Sequence, residues 1–187
     1  MAIVEPFAAL RPAPSFANQI SAPPYDVLST EEARQIVGEN RFLNISKPEI
    51  DFAAGTDPYS PEIYAKGAEN FKALQDSGLL LQDPASSYYI YRQIMGEHAQ
   101  TGLVAVVDCN EYESGVIKKH ELTRPSKEDD RVRHMEALNA QTGLVFLTYR
   151  SLPSINGFID KRVSAKPDFD FKASDGVQHR SEERRVG

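Results

Sequence analysis

The clearest hydrophobic pattern along the chain is helical and lies between residues 61 and 77. Small and apolar residues recur there at the 3.6-residue spacing that gathers them on one face of a helix. They are Tyr64, Gly67, Ala68, Phe71 and Leu74. Ser60 is placed to cap this helix, Pro61 suits its first position, and Gly78 is placed to end it. The sequence therefore predicts a helix with one buried face.

Three further helices are predicted with less periodicity. Ser29 and Glu32 form a capping box, and Gly38 is a natural stop, so a helix is expected between them. Residues 127–141 and 154–163 are also predicted to be helical. Helices therefore occupy both halves of the chain.

The strand signals suggest an antiparallel hairpin as the centre of a sheet. Residues 88–95 alternate loosely, a Gly-Glu-His turn follows, and residues 102–109 return as an apolar run. Short apolar stretches predict further strands at 2–5, 41–46, 116–122 and 144–149. The prolines at 12, 14, 23 and 24 predict an extended, non-helical passage. The expected fold is α/β of the α+β type, with a mixed, largely antiparallel sheet and flanking helices.

Composition narrows the classes of function. A formal net charge of −6 disfavours nucleic acid as a partner, because phosphate-backbone binding needs a basic face. Cys109 is the only cysteine, which excludes an internal disulfide, and its apolar neighbours predict a buried, inert thiol. No apolar run is long enough for a membrane span and no signal peptide is recognisable, so no membrane partner and a cytoplasmic location are expected.

The first candidate for chemistry is the segment Ala22-Pro23-Pro24-Tyr25-Asp26-Val27. Two prolines stiffen the backbone, so Tyr25 and Asp26 would be presented with little entropy left to lose. This arrangement suits an acid/base or ligand-orienting pair. A rigid turn in which Asp26 caps the backbone and Tyr25 packs its ring explains the same residues.

The second candidate is the basic stretch that precedes the helix predicted from residue 127. Cations, a histidine and a hydroxyl ahead of free helical N–H groups favour a phosphate or a carboxylate. The residues expected at this anion-binding edge are His120, Glu121, Thr123, Arg124 and Arg131. A solvated charged loop before a well-capped helix explains them equally well. The acidic residues Glu128, Asp129 and Asp130 would repel an anion, or could hold a divalent metal that bridges to it. No histidine or cysteine spacing indicates a protein-bound metal, so no metal ligand is predicted.

Taken in order, several motifs resemble the family known as domain of unknown function 1015, over about residues 1 to 180. The stretches that carry the resemblance are Ile3-Val4-Glu5-Pro6-Phe7, the Pro-Pro-Tyr-Asp segment, Gly78-Leu79-Leu80, Tyr89-Ile90-Tyr91, His120-Glu121-Leu122-Thr123-Arg124, Glu128-Asp129-Asp130-Arg131 and Phe146-Leu147-Thr148-Tyr149. Members of that family are roughly twice this length. Their second half carries an Asp-Gly-His-His-Arg run similar to the phosphate-handling motif of free-serine kinases in the ParB-like superfamily.

The resemblance implies a small-molecule phosphotransferase, with ATP or ADP and a divalent metal as cofactors and an anionic small molecule as partner. Asp26 and His120 are then the expected catalytic residues, Asp26 as base or metal ligand. Tyr25 and the basic stretch would bind the substrate or its phosphate. Two rivals remain: a non-catalytic ParB-like module that binds nucleotide or nucleic acid, and a small-molecule sensor.

The Asp-Gly-His-His-Arg run is absent from this chain. After His179 and Arg180 another apolar strand is expected, but residues 181–187 read Ser-Glu-Glu-Arg-Arg-Val-Gly and resemble translated adaptor sequence. We therefore expect residues 1–180 to be the N-terminal part of a longer protein, residues 181–187 to be a non-native tail, and the fold to be incomplete at its C-terminal end. Such a fragment is expected to be inactive alone.

Overall fold

The computed structural model describes residues 2–39, 41–120 and 122–185. The chain folds into two compact units, each assembled from separate stretches of sequence. One unit comprises Met1–Asn18, Leu81–Leu122 and Leu147–Gly187, and the other comprises Gln19–Leu80 and Thr123–Phe146. We call them the sheet unit and the helical unit.

Helices and strands occur together, which confirms the expected mixed α+β fold with antiparallel sheets. The helices are α1 (Ala17–Ile20), α2 (Thr30–Ile36), α3 (Leu43–Ser46), α4 (Pro61–Asp76), α5 (Cys109–Glu113), α6 (Pro125–Leu138) and α7 (Pro153–Val163). The strands are β1 (Val4–Glu5), β2 (Leu10–Pro12), β3 (Leu80–Gln82), β4 (Ser87–Met95), β5 (His98–Val104), β6 (Val106–Val107), β7 (Phe169–Lys172) and β8 (Gln178–Arg185). Within the described residues, no helix has the length and apolar character that spanning a membrane requires.

The sheet unit is built on four strands in the order β5-β4-β8-β7, and every pairing in that sheet is antiparallel. The β4–β5 hairpin has its first strand and its turn where they were predicted, with Gly96 at φ 60° in the turn. Two smaller pairs, β1–β6 and β2–β3, complete the strand pairing. The sheet is held at β4 by Tyr89, whose hydroxyl accepts a 2.9 Å hydrogen bond from the backbone N–H of Ala9.

The helical unit packs α4 against α3 and α6 around a buried apolar core. Ser29 and Glu32 form the expected capping box at the start of α2. The N-cap of α4 is Ser60, as expected, but its hydroxyl makes no capping hydrogen bond. The core residues of this unit include Ala33, Leu43, Ile45, Ile50, Ile63, Phe71, Leu74 and Leu138. The apolar face predicted for the longest helix is therefore the face that builds this core.

Three predicted strands are absent from the described fold, at residues 41–46, at residues 144–149 and in the described part of 116–122. Residues 41–46 include the one-turn helix α3, in which the Lys47 N–H donates to the Leu43 carbonyl at 2.8 Å. A strand was predicted there because a short run of apolar residues fits either period. Residues 144–149 form neither helix nor strand.

Three smaller expectations also fail. The return strand of the hairpin begins at His98 and not at residue 102. The proline-rich passage is not wholly extended, because 3₁₀ turns form at Pro14–Phe16 and Tyr25–Val27. Proline supplies the φ that the first turn of such a helix needs. The thiol of Cys109 is exposed at the start of α5, not buried.

The final strand, β8, lies between β4 and β7 along residues 178–181 and continues beside β4 to residue 185. The ladder joins backbone groups, so strand pairing at these positions does not depend on which side chains follow. That residues 181–187 are a non-native tail stays a prediction.

Candidate functional site

The Pro-Pro-Tyr-Asp segment forms a tight turn in the helical unit. Pro24 is extended at φ −54° and ψ 127°, and the 3₁₀ turn Tyr25–Val27 follows it. The N–H of Val27 donates to the Pro24 carbonyl at 3.4 Å. The Asp26 side chain is exposed, whereas Tyr25 is half-buried. The prolines thus fix a turn that presents a carboxylate to solvent and turns a phenol ring inward.

Helix α6 supplies the other side of the site, and its position follows from its sequence. Arg124 is the N-cap and Pro125 the first residue, where its missing N–H costs nothing. Asp130, His134 and Leu138 are buried at helical spacing and fasten one face of α6 to the unit. Residues next to this face are therefore held at fixed positions.

The guanidinium of Arg131 is fixed from two sides. Its carbon Cζ lies 4.4 Å from the ring centroid of Tyr25, a cation–π distance. Its Nε and Nη2 atoms donate to Oδ2 of Asp130 at 3.2 and 2.8 Å. Nη1 makes no hydrogen bond with any described residue. The structure thus joins Tyr25 to Arg131, and among the described residues nothing occupies the Nη1 edge of the guanidinium.

Asp130 is held in turn by Tyr64 of α4, whose hydroxyl donates to Oδ1 at 2.9 Å. Burial and the hydrogen bond to Asp130 raise the pKa of Tyr64 to about 12, so the phenol keeps the proton that it donates. Tyr64 therefore orients Asp130, and Asp130 orients Arg131. A cation that is positioned before a ligand arrives loses less entropy on binding it.

A second cation, Lys127, lies one helical turn before Arg131 on the same side of α6. Its Nζ donates to the hydroxyl of Tyr59 at 3.1 Å and lies 5.7 Å from that ring's centroid. The hydrogen bond to Tyr59 is the main reason why the pKa of Lys127 is raised, and the charge of Asp130 adds to it. Lys127 therefore stays protonated at neutral pH.

The three neighbouring carboxylates do not converge on a metal. Glu128 accepts a hydrogen bond from Thr123 at 2.7 Å, Asp129 pairs with Arg133 at 2.6 Å, and Asp130 is held as described above. Successive helical residues point about 100° apart, which separates the three acids. Among the described residues, no group of three or more histidine, cysteine, aspartate or glutamate side chains could hold a metal ion.

The other residues predicted for the anion-binding edge differ in their hydrogen-bond partners and in the unit to which they belong. Arg124 is exposed, and its guanidinium makes no hydrogen bond or ion pair with the described residues. The hydroxyl of Thr123 is engaged by Glu128. His120 is exposed and belongs to the sheet unit, so its place in a shared pocket stays a prediction. Glu121 lies outside the described residues.

His134 is buried in α6 three residues beyond Arg131, and its Nε2 lies 2.7 Å from the carbonyl oxygen of Ile45. A carbonyl only accepts, so Nε2 carries a hydrogen and donates it. Burial lowers the pKa of His134 below its usual 6.5, and the positive charge of Arg131 adds to this, against the raising effect of the Ile45 hydrogen bond. The folded chain therefore favours the neutral imidazole.

We expect this histidine to make the chain less stable in mild acid. Below pH 6.5 the unfolded chain binds a proton that folded His134 does not, so the free energy of unfolding falls as the pH decreases through 6.5 toward the folded-state pKa. The limiting slope for one proton is about 1.4 kcal/mol per pH unit. Urea unfolding between pH 7.5 and pH 5 measures this slope.

His179 contributes in the same direction, because burial lowers its pKa as well. The test is therefore the comparison with His134→Gln, which should flatten the profile; an unchanged slope would show that His134 does not cause it.

The sequence left three contributors to this site unassigned. Tyr64 was placed among the apolar residues of its helix, because periodicity reports burial and not what a hydroxyl bonds. Tyr59 lies in a loop, and only the fold brings it to Lys127. Lys127 was the first residue of a predicted helix and was not assigned to the anion-binding edge. Its spacing of four residues from Arg131 is the signal that could have found it.

Comparison with known protein families identifies a matching family. A family model described as "Protein of unknown function (DUF1015)" matches residues 4–182. No curated protein and no solved structure matches the chain.

Proposed function

The chain belongs to the DUF1015 family of proteins of unknown function. From the chemistry of its own residues, we propose that it binds a small phosphorylated or carboxylated molecule. The site is the surface of the helical unit formed by Tyr25, Arg131, Lys127 and Arg124. The observation that carries the proposal is the guanidinium of Arg131, held by Asp130 and Tyr25 with Nη1 available.

Charge supports an anionic ligand at this place although the whole chain is acidic. The carboxylates of Asp129 and Asp130 are each paired with an arginine, and Glu128 accepts from Thr123. Lys127 bonds a neutral phenol and Arg124 has no acidic partner among the described residues. Glu128 bonds a neutral hydroxyl and keeps its charge, so residues 124–133 carry four cations against three carboxylates, a local excess of one positive charge. Arg131 adds directed donors, which suit the oxygens of a phosphate or carboxylate.

We propose further that the complete protein is a phosphotransferase acting on a small molecule, similar to a free-serine kinase. In that reaction a substrate hydroxyl attacks the terminal phosphorus of ATP or ADP, the bond to the bridging oxygen breaks, and a base takes the hydroxyl proton. Asp26 is the candidate base, because it is an exposed carboxylate on a stiff turn next to Tyr25. His120 is the candidate for a second catalytic role.

We expect Arg131→Gln to weaken ligand binding at least tenfold, because a hydrogen bond to a charged group contributes about 1.5–3 kcal/mol. Isothermal titration calorimetry with ATP, ADP, phosphoserine and inorganic phosphate, each with and without Mg²⁺, measures the effect. The matched control is Lys72→Gln, which removes one positive charge from an exposed i,i+4 pair on α4. Equal loss in both variants, or no binding of any of the four probes, would contradict the proposed site.

The proposed phosphotransferase activity is tested on a longer family member, which is incubated with ATP or ADP and a pool of amino acids that includes serine. Phosphoryl transfer that is lost when the aspartate matching Asp26 becomes asparagine supports an enzyme. Ligand binding without transfer would favour a sensor. Binding of nucleic acid that weakens steeply with salt would favour the ParB-like binding module instead.

A further inference from the structure

One face of the four-stranded sheet carries two arginines side by side. Arg92 of β4 lies directly opposite Arg180 of β8 in their antiparallel ladder, so both side chains stand on the same face. Directly opposite residues have Cβ atoms about 4.5–5.5 Å apart, and like charges at that distance destabilise the pair. On its other side Arg92 lies opposite Thr101 of β5. These three residues form a row across three strands, which we call the arginine row.

Arg180 is held in place by its own contacts. Its Nη2 atom donates to the carbonyl oxygens of Val163 and Ala165, at 3.0 and 2.6 Å, at and just beyond the end of α7. Carbonyl groups at a helix C-terminus carry partial negative charge, which compensates part of the charge of Arg180. Asp170 of β7 also lies opposite Arg180, on the side away from Arg92. These contacts keep Arg180 beside Arg92.

Arg92 has no comparable partner within the described part of the chain. It is half-buried, and its Nε atom has no surface open to solvent and no hydrogen-bond partner. No ion pair or hydrogen bond joins its guanidinium to a described residue. Thr101 is half-buried as well, and its hydroxyl makes no hydrogen bond with the described residues. Buried polar groups without a partner are uncommon in folded proteins, and an ion or water from solution is an ordinary explanation of them.

We propose that the arginine row binds a small oxyanion, a phosphate or carboxylate group, at Arg92 with the hydroxyl of Thr101 as a second donor. Water could satisfy the donors of Arg92, but it would leave the repulsion between the two arginines in place. A negative charge removes both costs, and it interacts more strongly with a half-buried guanidinium than with one in bulk water. The site lies in the sheet unit and is independent of the one proposed at Arg131 in the helical unit.

Inorganic phosphate is the probe, added to the full chain in ¹H–¹⁵N NMR titrations with sodium chloride of equal ionic strength as the reference. We expect saturable shifts at Arg92 and at neighbouring amides of β4, β5 and β8, distinct from shifts in α6 that report on Arg131. Arg92→Gln should weaken this binding about tenfold or more, because it removes charge-assisted hydrogen bonds. The matched control, Arg150→Gln, removes the same charge at an exposed residue of the same unit and should change the affinity less than about twofold.

Urea unfolding gives a second readout, because a ligand that binds the folded chain raises its free energy of unfolding. In the Arg131→Gln background, phosphate should stabilise the chain that retains Arg92 more than the chain with Arg92→Gln, whereas a general salt effect would stabilise both equally. The proposal would be overturned by the absence of saturable shifts in the three strands, by equal shifts with chloride, by equal affinity in the Arg92 and Arg150 variants, or by equal stabilisation. Shifts confined to α6 would refute this site and leave the one at Arg131 standing.

Discussion

Replacing Asp83 with alanine is expected to lower the free energy of unfolding by about 3 kcal/mol. Asp83 is a partly buried carboxylate in the sheet unit, with a side chain 11% exposed. Its oxygens accept from Nε and Nη2 of Arg11 at 2.7 and 2.9 Å in a bidentate pair. The hydroxyl of Tyr89 donates to the same carboxylate at 2.7 Å.

The large effect follows from what the substitution would leave behind. Arg11 is 20% exposed, and it would keep its ion pair with Asp168, at 3.0 Å from Nη1, but lose the bidentate partner. The ring of Tyr89 would remain 5.0 Å from the guanidinium carbon without the carboxylate that fixes both groups. Removing one partner of a buried ion pair costs more than the pair contributes, because the other charge stays poorly solvated.

Equilibrium unfolding in urea measures the difference, and Asp76→Ala is the matched control. Asp76 pairs with Lys72 at 2.6 Å on the surface of α4, where both side chains are mostly exposed. An exposed i,i+4 pair contributes about 0.5 kcal/mol or less. If the two alanine variants were equally stable, burial of the Asp83 network would not govern its contribution.

The fold class was predictable where hydrophobic periodicity extends over many residues. The sixteen residues of α4 repeat an apolar face, and β4 alternates up to a glycine turn, so both were found close to their bounds, whereas the return strand β5 was placed too late in the sequence. The strands predicted from short apolar runs were wrong, because a single helical turn and a short strand can bury the same residues. In residues 41–46, for example, Leu43 and Ile45 are both fully buried, yet they lie in one helical turn.

Burial itself failed to follow apolar character in two places. Residues 144–149 have the composition of a buried strand but lie exposed, because what would cover them is supplied by no described residue of the chain. Cys109 follows an apolar run, yet it begins a helix at the surface. Composition indicates whether a residue prefers a buried position, whereas its neighbours in the tertiary structure decide whether it is buried.

The candidate site was predictable as a set of residue types and not as an arrangement. The sequence indicated Tyr25 and Arg131 as parts of two separate stretches, but their contact depends on how α6 packs against α4. That packing is fixed by buried groups such as Asp130 and His134, which in sequence look like surface charges. Polar side chains buried at helix contacts are therefore the part of a site that a sequence pattern conceals.

Gly67→Ala is expected to destabilise the helical unit by about 1–3 kcal/mol, against the usual effect of that substitution in a helix. Gly67 lies in the middle of α4, where alanine is normally preferred to glycine by about 1 kcal/mol. A Cβ added here would lie 2.8 Å from Cγ of Pro48, 3.4 Å from the Ile45 carbonyl oxygen and 3.5 Å from Leu138.

The first of these contacts decides the sign. Pro48 is buried, and its ring is part of a 3₁₀ turn, so it cannot move aside as the end of a flexible side chain could. The gap that glycine leaves is what allows α4 to approach α3 and the turn after it this closely. The contact therefore shifts the helices or strains the ring, and either outcome offsets the gain in helix propensity.

The same substitution elsewhere in the chain separates packing from propensity. Gly157 is also helical, in α7, and a Cβ there would have no neighbour within 4 Å. Gly157→Ala should therefore stabilise the chain by about 0.5–1 kcal/mol, through helix propensity and a smaller entropy of the unfolded state. Thermal and urea unfolding of both variants give the comparison. Two shifts of the same sign would mean that the approach of α4 to Pro48 does not limit this position, since both glycines would then respond through backbone entropy alone.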